Sequence, residues 1–201
     1  MQNAGDAPHD QSCALLTSLP RALNATKGLE RSPSEQLNPD GGVDVRLALY
    51  QPDIPQNTGT ILRMAACLDV AVDVIGPTGF DMSNRSLRRA GLDYLEHVTL
   101  TRHASFEVFE AARLRPAPAP RLILLTSHGA QSHLDFAFQL TDVIVLGRES
   151  AGVPESIHRR ADARIRIPMV RGLRSLNIAI AGALVLGEAL RQTRGFPGSS
   201  A

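Results

Sequence analysis

The stretch RIPMVRGLRSLNIAIAGALVLGEAL, residues 166–190, decides how the chain is read. An apolar strand-like run, ARIRIP (163–168), stops at Pro168. An apolar helix is expected over Ser175–Thr193, with Ser175 or Asn177 able to cap its first turn. Its apolar residues (Leu176, Ile178, Ile180, Val185, Leu186) occupy the whole circumference, and a helix of that kind must be buried on all sides. In a chain of 201 residues that requirement points to burial against a second copy. Arg171 and Arg174 sit at the mouth of this helix, where partial positive charge already favours anions. An anion such as RNA phosphate accounts for them; so does an acidic loop crossing at that point.

Moving outward, four more short apolar runs read as buried strands: VRLALY (45–50), VAVDVIG (70–76), RLILLT (121–126) and DVIVLG (142–147). Helix-like segments alternate with them: Thr58–Leu68, Ser83–Gly91, Ser105–Arg113, a weak one over His133–Phe138, and the terminal helix. Alternation of this type implies an α/β fold, a mainly parallel sheet with helices on both faces. Residues 1–43, rich in Asn, Gln, Ser, Pro, Asp and Gly and ending in Gly41-Gly42, read as a disordered N-terminal extension, leaving 44–201 as the domain.

Composition excludes several classes. The net charge of +1 favours neither a nucleic acid nor an acidic partner. Residues 1–43 are net acidic, so the domain holds the positive excess. Every cation after Lys27 is arginine, which suits phosphate but equally suits a codon bias. Cys13 and Cys67 are isolated, no signal peptide is visible, and the apolar run Ile178–Leu186 is about half a membrane span. A cytoplasmic chain with no membrane and no metal is expected. No G-x-G-x-x-G follows the first strand and no Walker loop exists, which disfavours ordinary dinucleotide and NTP sites. His128 and His133 lack further metal ligands nearby and are read as surface or hydrogen-bonding residues.

In open parallel sheets ligands bind beyond the carboxyl ends of the strands. Those positions hold QPDIPQNTG, PTGF, TSHG, GRESAGVP and PMVRGLRSLN. In IPQNTGTILRMAACL (54–68), Asn57 can cap a helix containing Gly59, and Arg63 interrupts an apolar helix face. Arg63 is read either as a snorkelling, ion-paired side chain or as a guanidinium aimed into the strand-end cleft. In LGRESAGVP (146–154), Glu149 can cap the local turn or hold an arginine, with a helix beginning near Pro154.

Taken together, NTGTILR, LGRESAGVP and IPMVRGLRSLNIAIA resemble, in order, the three motifs of the SPOUT superfamily of RNA methyltransferases. LYQPDIPQNTGTILR and SLRRAGLDYLEHV (86–98) are similar to its small TrmL-like branch. That branch methylates the ribose 2′-hydroxyl of nucleotide 34 in leucine tRNAs. The resemblance covers about residues 45–198 and implies a C-terminal trefoil knot, a homodimer through the knot region, and S-adenosylmethionine (AdoMet) as cofactor. It implies that Leu125, Thr126, Gly147, Ile167, Met169, Ser175 and Leu176 hold AdoMet. Arg63 would be catalytic, with Asn57, Glu149 and Asn177 in support, and Arg85, Arg88, Arg89 and Arg174 would meet tRNA. The chain departs from the family pattern at Gly187, where a tyrosine is common, and in VRGLRS, where a Pro-Asp version is common.

Overall fold

The structure, a computed structural model, describes residues 45–82 and 95–198. The N-terminal tail, the Ser83–Gly91 segment and Arg85, Arg88 and Arg89 therefore lie outside the described residues. Seven strands form one sheet: β1 (Arg46–Tyr50), β2 (Val72–Ile75), β3 (Leu100–His103), β4 (Leu122–Leu125), β5 (Gln131–Ser132), β6 (Val143–Leu146) and β7 (Ala163–Arg166). Their order is β3-β2-β1-β6-β4-β7-β5. Every pairing is parallel, with Leu47 opposite Ile144 and Leu125 opposite Leu146 in the centre.

The near-continuous apolar strands fit a sheet covered on both faces. Alternate residues feed two cores, as the two-residue period of a strand requires. Leu47, Leu49, Val72, Val74, Ile144 and Leu146 pack beneath α1 (Pro55–Cys67) and α4 (Ile178–Thr193). Ala48, Tyr50, Ile75, Leu124, Val143 and Val145 face the other way, with Phe109 of α2 (Phe106–Arg113) and Ile157 of α3 (Glu155–Arg160). The architecture is the α/β sheet expected.

Several local expectations need correction. β3 and β5 were not foreseen: β3 is only part-buried, and β5 is two residues long. His133–Phe138 is not a helix. The Phe138 N–H donates to Gln192 Oε1 (2.9 Å) and Gln192 Nε2 donates to the Phe136 carbonyl (2.9 Å), so the end of α4 takes groups a helix would have used. Phe136 and Phe138 are buried edge to face, 4.9 Å apart.

Asn57 does not cap α1. The helix opens at Pro55, which lacks an N–H and suits a first-turn position, so Asn57 falls inside it. α4 begins after Asn177, whose Oδ1 accepts from Ala179 N (2.9 Å) and Ile180 N (3.4 Å). Ser175 lies before the helix. Within a single chain α4 buries Ala179, Ala181, Gly182, Val185, Leu186, Ala189 and Leu190, but Ile180 and Leu184 remain 54% and 47% exposed.

Candidate active site

The carboxyl ends of β6, β4 and β7 are neighbours, so the loops after them open on one side of the sheet. With the start of α1 and the start of α4 they enclose a cavity of about 560 Å³, within the usual range of small-molecule sites, roughly 300–1,000 Å³. All seven residues expected to hold a cofactor line it: Leu125 and Thr126 after β4, Gly147 after β6, Ile167 and Met169 after β7, and Ser175 and Leu176 before α4. Asn57, Glu149 and Asn177 line it as well.

These three polar residues are sewn together although they are far apart in sequence. Asn57 Nδ2 donates to Glu149 Oε1 at 3.1 Å, and Asn177 Nδ2 donates to Asn57 Oδ1 at 2.9 Å. Because Asn177 Oδ1 caps α4, both ends of its amide are fixed. The side-chain amide of Asn57 thus ties the 148–152 loop to the mouth of the last helix.

Asp53 completes the arrangement, and sequence reasoning passed over it. Its N–H donates to Glu149 Oε2 (3.2 Å), while the Glu149 N–H donates to Asp53 Oδ1 (3.2 Å). The Ser150 hydroxyl donates to Asp53 Oδ2. The neighbouring Glu149 carboxyl and then Ser150 hold Asp53 at a pKa of about 2, below its usual 3.8. Burial and then the Asp53 carboxylate push Glu149 upward, against the Asn57 amide, which pulls it down. A paired acid in QPDIPQN, one turn ahead of a helix at a strand end, was the available signal.

Glycine at 147 reflects close approach. A Cβ there would meet the Gly152 backbone at 2.9 Å, where the Arg148–Gly152 bridge folds the loop back on itself. At Gly147 the wall is therefore peptide rather than side chain, suited to recognition by backbone N–H and C=O groups. Arg148 is the one guanidinium in the described wall; its Nε lies 3.7 Å from Asp53 Oδ2. His128 and His158 also face the cavity.

Arg63 is not part of this wall. It is exposed on α1, six residues beyond Asn57, about 9 Å along the axis. Arg174 is likewise exposed and outside the cavity lining. No cluster of three or more potential metal ligands occurs among the described residues. No helix among them is long and apolar enough to cross a membrane.

The fold is similar to those of solved RNA methyltransferases. One, bearing on the 2-OH methylation of C/U34 on tRNA, is 40% identical with a TM-score of 0.68, covering 74% of this chain and 95% of that one. Another is the SpoU methyltransferase AviRb from Streptomyces viridochromogenes in complex with AdoMet, 28% identical, TM-score 0.67, covering 75% of this chain and 61% of that one. The chain belongs to the SpoU rRNA Methylase family, which matches residues 44–187. A tRNA (cytidine(34)-2′-O)-methyltransferase of Ancylobacter novellus is 57% identical over 150 residues, 75% of this chain and 94% of that protein.

Proposed function

We propose that this chain transfers a methyl group from AdoMet to the ribose 2′-hydroxyl of nucleotide 34, the wobble position, of tRNA. The observation that carries this is the convergence of all seven expected cofactor residues on one cavity beside the Asn57–Glu149–Asn177 chain. The relatives' activity supports the choice of tRNA and of position 34.

The cavity fits AdoMet in volume and in kind. Leu125, Ile167, Met169, Leu176 and Ile178 offer apolar surface to an adenine, and the strand-end peptides offer donors and acceptors to its edge and to the ribose. When bound, AdoMet supplies an electrophilic methyl on a sulfonium, so the protein's task is positioning rather than redox or metal chemistry. Asn57, Glu149 and Asn177 hold the loops that define where the acceptor hydroxyl can stand. Arg63, exposed on α1 outside the cavity lining, is assigned to the hydroxyl and its adjoining phosphate. An arginine stays protonated in proteins, so it binds and orients there, and the proton passes to phosphate or water.

The substrate is a leucine tRNA carrying cytidine or a modified uridine at position 34, met by Arg85, Arg88, Arg89 and Arg174. Ile180 and Leu184, exposed on α4 beside Leu176, support a homodimer through this helix. A C-terminal trefoil knot is supported by the route of the chain, which places β7 between β4 and β5 before α4 returns to pack on α1. Residues 44–201 form the enzyme domain, working in the cytoplasm. Mass spectrometry of nucleosides at tRNA position 34, from cells with and without the gene, tests the activity. Loss of the 2′-O-methyl signal is expected, and an unchanged signal would overturn it.

A further inference from the structure

We propose that Asp53 is the positioning residue that sets the shape of the cofactor cavity, although its own side chain does not line it. This rests on the cofactor reading above.

Three observations converge on Asp53. It exchanges N–H bonds with Glu149 in both directions and takes a third bond from Ser150, so it grips two successive residues of the 148–152 loop. No other side chain in the described residues bonds both the backbone and the side chain of that loop. Asp53 is also boxed from behind. Gln51 turns the chain with a left-handed φ of 43°, and the Gly79 N–H donates to the Pro52 carbonyl at 2.9 Å. A Cβ on Gly79 would lie 2.8 Å from Asp53 Cβ and 2.9 Å from its Cα, so any larger residue must displace Asp53. The path then runs from Gly79 through Asp53 to Glu149, Asn57, Asn177 and the first turn of α4. A carboxylate is needed because it accepts from an N–H and a hydroxyl at once; charge-assisted bonds of this kind are roughly twice as strong as neutral ones.

Three variants test this: Asp53→Ala, Asp53→Asn and Gly79→Ala. Gly79 and Asp53 are both absent from the cavity wall, so direct loss of a ligand contact is not in play. In the unliganded protein, hydrogen exchange of the 148–152 amides is expected to quicken about tenfold in Asp53→Ala, the effect of one lost charge-assisted bond. Calorimetry with AdoMet is expected to show affinity about tenfold weaker. Asp53→Asn, which keeps one acceptor for the Glu149 N–H, restores part of both. Gly79→Ala reproduces the direction of both effects from outside the loop. A purely structural role would lower stability in urea while leaving the AdoMet affinity of the folded protein and the exchange of this loop unchanged, and that result overturns the proposal. If Asp53→Ala does not fold, Gly79→Ala and Ser150→Ala carry the same test. If the wild-type protein takes up no AdoMet, the cofactor reading falls and this inference with it; if it binds and the variants match it, this inference alone falls.

Discussion

Asn57 has two jobs in one amide, and neither tolerates a change of sign. Replacing it by alanine leaves Glu149 Oε1 without its donor and Asn177 Nδ2 without its acceptor. Each lost bond to a buried or charged partner costs on the order of 1–3 kcal/mol. Asn57→Ala is expected to weaken AdoMet binding by about tenfold or more, measured by calorimetry. Asn57→Asp, which sets a second carboxylate against Glu149, is expected to be worse. A further prediction concerns acid–base behaviour at Glu149, whose folded pKa is raised. Such a group supports the fold below its unfolded value of 4.5, and that support is lost as pH rises through the higher folded value. Asp53, held near 2, works oppositely: its contribution is complete above 3.8 and disappears as pH falls toward 2. In urea unfolding at a series of pH values, wild-type stability relative to Glu149→Gln is therefore expected to fall as pH rises above 4.5, then level off. A flat difference across that range would mean that burial does not disfavour the Glu149 carboxylate.

Among the elements, α4 is the one whose sequence and surroundings disagree within a single chain. Ile180 and Leu184 are too exposed for so apolar a helix, and Leu173 and Val170 just ahead of it are 69% and 75% exposed. Leu184→Glu is expected to give a monomer by light scattering while leaving the fold of each chain intact by circular dichroism. A dimer that persists would place the subunit contact elsewhere. The elements also mark where sequence reading succeeded and failed. β1, β2, β4 and β6 were legible because buried parallel strands are mostly apolar runs bounded by polar turns, and β7 because its apolar residues alternate with arginines before Pro168. β3 was not, since Leu100-Thr101-Arg102-His103 mixes apolar and charged residues, and His103 is used to pair with Asp73 at 2.7 Å. The false helix over 133–138 has the opposite cause: the partner that claims its backbone, Gln192, lies more than fifty residues away and is invisible to a local reading. The cavity wall was legible through its motifs. Asp53 and Gly79 were not, because their roles depend on a contact between loops following different strands.

For the whole molecule, four of the described arginines are held in close ion pairs that serve the fold. Arg46 pairs with Asp73, Arg113 with Glu110, Arg121 with Asp142 and Arg191 with Glu188. Outside these pairs, Arg85, Arg88 and Arg89 fall within five residues of sequence. Replacing all three by alanine is expected to lower the slope of log affinity against log salt by about 2–3, at roughly 0.7–0.9 per phosphate contact. The check is a tRNA binding series at several salt concentrations; an unchanged slope would exclude that segment from the RNA interface.

The strand order also has a consequence for how the protein is made. Among the described residues β5 pairs with no strand but β7, and β7 emerges from the ribosome after it, together with the Ile167–Asn177 wall of the cavity. A nascent chain halted before Ala163 therefore holds β5 without a partner and a pocket open on one flank, and parallel pairings across such separations close slowly. The cavity cannot close before the Ile167–Asn177 wall is made, so a product truncated before Ala163 is expected to be inert rather than partly active.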